Sequence, residues 1–181
     1  VYYKCTTCHA VFMDEKSQVN EVDEKQRYEL HSDDTNDSGY RKFIAPITSS
    51  IMKDFKANNL GLDFGAGTSA IISVILKESH YNIFNYDPYF HPSADVLEKK
   101  YDYISSCEVI EHFYNPYKEF ALLKSMLKEG AKLYLMTEVY NEKINFATWY
   151  YKNDPTHVFF YSEKTFQWIK NEFNFESVRV D

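Results

Sequence analysis

The chain has 181 residues, 44% of them hydrophobic and 26% charged, enough for one domain with a substantial core. Lys and Arg number 20 against 27 Asp and Glu, and no basic block exceeds the pairs Arg41-Lys42 and Lys99-Lys100, which argues against nucleic acid and an anionic membrane surface as partners. There is no secretory signal, no apolar run near the roughly 18 residues of a spanning helix, and too few cysteines for a disulfide framework, so a reducing, cytoplasmic setting is expected.

In chain order, residues 2–12 read as a short aromatic strand carrying Cys5-Thr6-Thr7-Cys8-His9, the spacing of one half of a zinc ribbon. Tetrahedral Zn²⁺ takes four ligands, and only Cys5, Cys8 and His9 are at hand. The chain opens at Val1 rather than Met, which points to a preceding segment. Zinc is expected only if that segment supplies the other ligands; otherwise the N-terminus is expected to be metal-free. Residues 13–39 are polar and acidic, with a short helix expected over 24–31 and a loop over Asp33 to Gly39. Residues 1–39 therefore read as a half knuckle and linker, and residues 40–181 as the main domain. Within 40–56, Phe43, Ile44, Ile47, Ile51, Met52 and Phe55 fall at helical spacing, with Pro46 tolerable only in the first turn or at a kink.

The stretch Leu60-Gly61-Leu62-Asp63-Phe64-Gly65-Ala66-Gly67-Thr68-Ser69-Ala70 is the centre around which the chain is arranged. Apolar residues lead into a carboxylate, two glycines alternate, and an apolar helical run begins near Ser69. That pattern is a buried strand ending in a tight turn that opens a helix. Glycine reaches φ > 0 and lets the backbone approach a ligand closely. A helix N-terminus adds unpaired N–H groups and a positive dipole end. A second strand over 82–86 delivers Asp87, 20 residues after Gly67, where an acidic residue binds a ribose hydroxyl. Gly65-x-Gly67-x-x-Ala70 also fits the dinucleotide fingerprint, so NAD(P) is a rival ligand. Asp63 instead suits a smaller cofactor carrying an ammonium group.

Only 14 residues separate Asp87 from Asp102, so the connection there is expected to be shortened, with Asp95-Val96-Leu97 as an abbreviated strand. Residues 101–106 form the next strand and run into Cys107-Glu108-Val109-Ile110-Glu111-His112. Asn115 and Pro116 supply a helix N-cap and first position, and Gly130 its closing residue. Further strands are expected over 132–137, 156–161 and 175–180, with a helix over 163–173. This alternation predicts an α/β fold, Rossmann-like and doubly wound, with ligands at the strands' carboxyl ends.

Asp63-Phe64-Gly65-Ala66-Gly67, Tyr86-Asp87 and Cys107 to His112, taken in order, resemble the motifs of class I S-adenosylmethionine-dependent methyltransferases. The likeness is to the small-molecule O-methyltransferases typified by the ubiquinone-biosynthesis enzymes, and it runs from about Tyr40 to the C-terminus. It implies S-adenosylmethionine as cofactor and a mostly parallel sheet with one reversed edge strand. Asp87 would accept both ribose hydroxyls, Gly65, Ala66 and Gly67 would let the backbone approach the cofactor, and Cys107 would touch its methionine or adenine end. A lid before the first core helix makes Tyr28, His31 and Tyr40 candidates, with Arg41 reaching the cofactor carboxylate and Asp95 the adenine amine.

Methyl transfer is an in-line displacement, so the enzyme positions the acceptor and removes its proton. Glu108, Glu111, His112, Asp154 and His157 are the acceptor-side candidates. His112 is the leading general base, because imidazole titrates near neutral pH. Glu108-x-x-Glu111-His112 with His157 also resembles the metal-binding set of small-RNA 3′-terminal 2′-O-methyltransferases, which implies a divalent cation such as Mg²⁺ or Mn²⁺. Without a metal, the two carboxylates are helix-start residues favoured by the dipole. The expected substrate is a small hydroxylated molecule rather than RNA, given the acidic balance. The rivals are an NAD(P)-binding oxidoreductase and a non-catalytic, cofactor-binding partner protein.

Overall fold

The computed structural model describes residues 1–29 and 34–181. In chain order the elements are β1 (Tyr2–Lys4), β2 (Val11–Met13), α1 (Glu21–Glu29), α2 (Ser38–Asp54), β3 (Leu60–Phe64), α3 (Ile71–Glu78), β4 (Asn82–Tyr86), β5 (Tyr101–Cys107), α4 (Pro116–Met126), β6 (Leu127–Met136), β7 (Phe159–Phe160) and α5 (Glu163–Glu172). The chain forms two compact units, one of residues 25–108 and 125–136, the other of residues 1–24, 109–124 and 137–181.

The first of these holds a four-stranded sheet in the order β4-β3-β5-β6, every pairing parallel. β3 is central, and its residues from Gly61 to Phe64 are all buried. Ile44, Ile47 and Ile51 on α2 meet Ile71, Ile72 and Leu76 on α3, with Ile83 of β4 and Tyr103 of β5 completing the core. These positions recur at helical spacing on α2 and α3, which is why the two helices bury one face each. Asp102 fixes the start of β3 by accepting from the Leu60 N–H at 2.7 Å and the Lys128 ammonium at 2.9 Å.

Several expectations are corrected in this unit. Asp37 caps α2 by accepting from the Tyr40 N–H at 2.7 Å, so Ser38 and Gly39 belong to the helix rather than to the loop. Pro46 lies well inside α2, not in its first turn. It lacks an N–H for the preceding turn, and hydroxyls serve the carbonyls around it: Thr48 donates to Ala45 O at 3.3 Å and Ser50 to Pro46 O at 2.8 Å. Asp95-Val96-Leu97 is no strand, because residues 94–98 coil into a 3₁₀ turn. Gly130 does not close α4, which ends at Met126. It sits at φ 70° within β6, where the register against β5 jumps from Tyr101↔Leu127 to Tyr103↔Lys132. That jump is a bulge, a place where glycine's conformational range is needed. The expected helix over 24–31 is α1, shifted to Glu21–Glu29, and His31 and Asp33 lie outside the described residues.

The second unit contains an antiparallel sheet, β1-β2-β7. Its core is aromatic, with Val11, Trp149, Tyr151 and Phe160 packed under Tyr2, Tyr140 and Phe146. Asn115 caps α4 as expected, accepting from the Lys118 N–H at 3.1 Å. α5 opens with a reciprocal capping box between Ser162 and Thr165. The strand expected over 156–161 shrinks to the two residues of β7, which pair with β2. Residues 175–180 form no strand. Their alternating pattern finds no ladder partner, and a strand without one is not stable. The expected reversed edge strand is therefore absent from the parallel sheet among the described residues. No described helix is long and apolar enough to cross a membrane.

Candidate functional site

In the parallel-sheet unit, the turn after β3 is built from the residues the sequence singles out. Gly65 and Gly67 adopt φ 78° and 62°, and Ala70 lies at 46° just before α3. The Gly65 and Ala66 N–H groups both donate to Tyr86 O, at 2.8 and 3.0 Å, tying the turn to the end of β4. The Gly67 N–H donates to the Asp87 carboxylate at 3.0 Å. The other Asp87 oxygen accepts from the N–H groups of Tyr89 at 2.9 Å and Phe90 at 3.1 Å. A Cβ added at Gly67 would meet no described atom within 4 Å, so this glycine serves backbone conformation and leaves the space above it clear. An ionised carboxylate has about four acceptor positions, of which three are taken here. Asp87 thus both shapes the glycine turn and keeps capacity for a ligand hydroxyl.

Asp63 occupies a different environment from the one the sequence suggests. It lies within β3, 2% exposed, and accepts from the Ser105 hydroxyl of β5 at 3.2 Å. Burial pushes its carboxyl up from the ordinary 3.8 to about 7, while the Ser105 hydrogen bond pulls the other way. The folded chain therefore keeps a proton that the unfolded chain loses between about pH 4 and 7. The stability this group contributes is full below about pH 4, declines as pH rises to about 7, and is flat above. Urea unfolding at several pH values across and above that window is expected to show the decline in the wild type and its loss in Asp63→Asn. A parallel pH dependence in both proteins would contradict the assignment.

The remaining candidates in this unit are dispersed. Cys107 ends β5, half-buried against the core that α2 and α3 build. Tyr40 packs on the same core from α2 and stacks on Phe43 at 6.1 Å. Tyr28 touches Tyr89, the rings 5.8 Å apart. Arg41 does not reach toward the glycine turn. Its guanidinium pairs with both Glu78 oxygens at 2.6 and 2.9 Å and donates to Thr35 O, because Glu78 at the end of α3 offers a planar two-oxygen partner. Asp95 is exposed and engaged by Ser93 and Lys99. Glu108 turns into the left-handed region at φ 52° as β5 ends, its N–H held by Met136 O at 2.8 Å.

In the other unit, Glu111, His112 and His157 come together, each offering a ligand atom within 4.8 Å of the others. Glu111 is fully buried. Its two oxygens accept from the Tyr151 hydroxyl at 2.5 Å and the Thr137 hydroxyl at 3.0 Å. His112 Nδ1 faces Thr156 O at 2.9 Å, and His157 Nδ1 faces Tyr151 O at 2.7 Å. A carbonyl only accepts, so both Nδ1 atoms carry the proton and Nε2 holds the lone pair of each neutral ring. The imidazoles meet edge to face at 4.8 Å. Glu108 does not join this group among the described residues. Asp154 is not a member either: it accepts from the Thr156 N–H and hydroxyl at 3.0 and 2.6 Å and forms the turn before His157. Tyr151 and Thr137 are partners that the sequence did not indicate. A tyrosine 40 positions from its carboxylate leaves no local pattern to read.

Cys5 and Cys8 sit in the β1–β2 hairpin, and His9 does not join them in any group of three ligands among the described residues.

Residues 37–180 match the model of a methyltransferase domain family. The chain belongs to that family. No curated protein sequence matches it. Among solved structures, it is similar to the magnesium protoporphyrin IX methyltransferase of Synechocystis with bound SAH, at 17% identity and TM-score 0.58, covering 90% of this chain and 80% of that one. Phosphoethanolamine N-methyltransferase 2 of Haemonchus contortus, in complex with phosphomonomethylethanolamine and S-adenosylhomocysteine, gives 17% identity and TM-score 0.57 over 75% of this chain. This chain spans 38% of the length of that nematode protein. A Pyrococcus horikoshii protein gives 16% identity and TM-score 0.53, covering 81% of this chain and 88% of that one. At these identities the likeness shows the methyltransferase fold. The strand order β4-β3-β5-β6, with one short turn between β4 and β5, is this family member's abbreviated version of the class I sheet.

Proposed function

We infer that this chain transfers a methyl group from S-adenosylmethionine to a small-molecule acceptor, at a hydroxyl oxygen. The observation that carries the reading is the turn at Gly65 and Gly67, hydrogen-bonded to Asp87 and open above Gly67. One ribose hydroxyl of the cofactor goes to the remaining acceptor position of Asp87, with Ala66, Cys107 and Tyr40 as further cofactor-side residues. Asp63, buried and accepting from Ser105, supports the strand beneath the turn. Family membership favours this over an NAD(P) oxidoreductase. The resemblance to ubiquinone-type enzymes favours oxygen as the methylated atom.

The reaction balances simply. When bound, S-adenosylmethionine would supply an electrophilic methyl group to the acceptor oxygen, its sulfur keeping the electron pair of the broken carbon–sulfur bond. The acceptor's proton goes to an imidazole Nε2. His112 takes this role because it is less buried than His157, and His157 holds the same tautomer beside it. His112→Ala is expected to lower kcat by about 10²-fold or more while leaving S-adenosylhomocysteine affinity unchanged. A screen of phenolic and hydroxylated acceptors with labelled cofactor tests this. Unchanged turnover in His112→Ala and in His157→Ala would remove both from the mechanism, and no turnover with any acceptor would favour a non-catalytic partner protein.

A second reading rests on the same cluster. Two imidazoles with oriented Nε2 atoms and one carboxylate fit a divalent cation, and their Nδ1–H···O=C bonds are the supports metal-bound histidines use. Such a cation would lower the acceptor hydroxyl's pKa. Glu111, His112 and His157 would hold it. Turnover abolished by EDTA and restored by Mn²⁺ or Mg²⁺ would favour this reading, and full activity in EDTA would exclude it.

A further inference from the structure

The Cys5–Cys8 hairpin takes no part in the proposed reaction, yet its turn is built around sulfur. β1 and β2 pair up to Lys4↔Val11, and the Cys5 N–H carries the ladder one step further by donating to Ala10 O at 2.8 Å. The His9 N–H donates to Cys5 O at 3.1 Å, folding the intervening residues back on themselves. The Cys8 N–H is directed at Cys5 Sγ, 3.5 Å away, and the Thr7 N–H faces the same sulfur. The Ala10 N–H faces the Cys8 sulfur. His9 lies in the left-handed region at φ 63°, closing the loop ahead of Ala10.

The backbone bonds and the left-handed residue are those of a hairpin loop, but the N–H groups directed at sulfur are not required by one. Neutral thiols are weak acceptors, and the Cys8 N–H directed at the Cys5 sulfur suits a charged thiolate better than a thiol. That is the outer support metal-bound thiolates receive. Both cysteines are free and partly exposed. Their three-residue spacing is the chelating spacing of thiolate zinc sites.

We propose that Cys5 and Cys8 form a preorganised two-thiolate half-site for Zn²⁺, with the remaining tetrahedral positions filled from outside the hairpin. The third cysteine, Cys107, ends β5 and joins no group of three ligands among the described residues. On binding, each thiol gives its proton to solvent and each sulfur donates an electron pair, with no change of oxidation state. The assignment is independent of the methyl-transfer reading and of the histidine cluster.

Cobalt(II) titration of the reduced, metal-free chain under anaerobic conditions tests it. The expected result is a sulfur-to-cobalt charge-transfer band of two-thiolate intensity, bleached by Zn²⁺. The band is lost in Cys5→Ser/Cys8→Ser, kept in Cys107→Ser, and retained in Cys8→His at about half the intensity. Cobalt bound by the histidine cluster gives no such band. Zinc should also slow alkylation of Cys5 and Cys8 by iodoacetamide while leaving Cys107 unaffected, a readout that needs no variant to fold. No charge-transfer band, a band that survives the double replacement, or alkylation indifferent to zinc would overturn the proposal.

Discussion

Replacing Asp87 by alanine is expected to weaken S-adenosylhomocysteine binding at least about tenfold, the equivalent of about 1.4 kcal/mol. The structure gives two reasons. A carboxylate accepting a ligand hydroxyl contributes roughly 1.5–3 kcal/mol per bond, and alanine offers no acceptor. The same carboxylate holds the N–H groups of Gly67, Tyr89 and Phe90, so its loss also releases the glycine turn and the loop after β4. Asp87→Asn separates the two effects. Its remaining oxygen can keep one side of this network, so it should fall between wild type and alanine in affinity. Calorimetric titration of the three proteins, with urea unfolding to confirm that each is folded, provides the check. Near-wild-type affinity in Asp87→Ala would mean that the ribose is held elsewhere.

The largest effect on stability is expected at Gly61. This residue pairs with Tyr103 in the β3–β5 register, and the Tyr103 ring lies across its backbone so closely that an added Cβ would overlap the ring carbons and hydroxyl. β3 is held on both sides by β4 and β5, and Tyr103 is fully buried in the core, so neither partner can retreat. Gly61→Ala should therefore cost at least about 3 kcal/mol, the upper end of overpacking penalties. Tyr103→Val alone leaves a cavity and is also destabilising, but Gly61→Ala/Tyr103→Val should be less destabilised than the sum of the two single changes. Strict additivity in chemical denaturation would contradict the contact.

The strand–turn–helix at Gly65 to Ala70 and the position of Asp87 were legible because they are local. Glycine spacing, a preceding carboxylate and an acid one strand later leave marks within a short window. Asn115 and Pro116 were legible as a helix start for the same reason. What escaped was set by distant partners. Asp63 reads as a ligand carboxylate, but Ser105 on a neighbouring strand claims it and burial raises its pKa. Arg41 reads as a cofactor contact, but Glu78 lies opposite it. Residues 175–180 alternate like a strand, yet a strand exists only where a ladder receives it. Gly130 shows the same ambiguity within one element. A glycine after an apolar helix signals a cap, and a bulge in β6 demands the same backbone freedom. Glu111 and His157 were singled out from their side-chain chemistry, whereas the Tyr151 hydroxyl that links to Glu111 arrives from a turn no short pattern connects to it.

The most direct test is calorimetric titration of the purified chain with S-adenosylhomocysteine, with NADH as the parallel ligand. Micromolar binding of S-adenosylhomocysteine and none of NADH is the expected result. Binding of NADH alone would contradict the methyl-transfer reading and assign the Gly65–Gly67 turn to a dinucleotide.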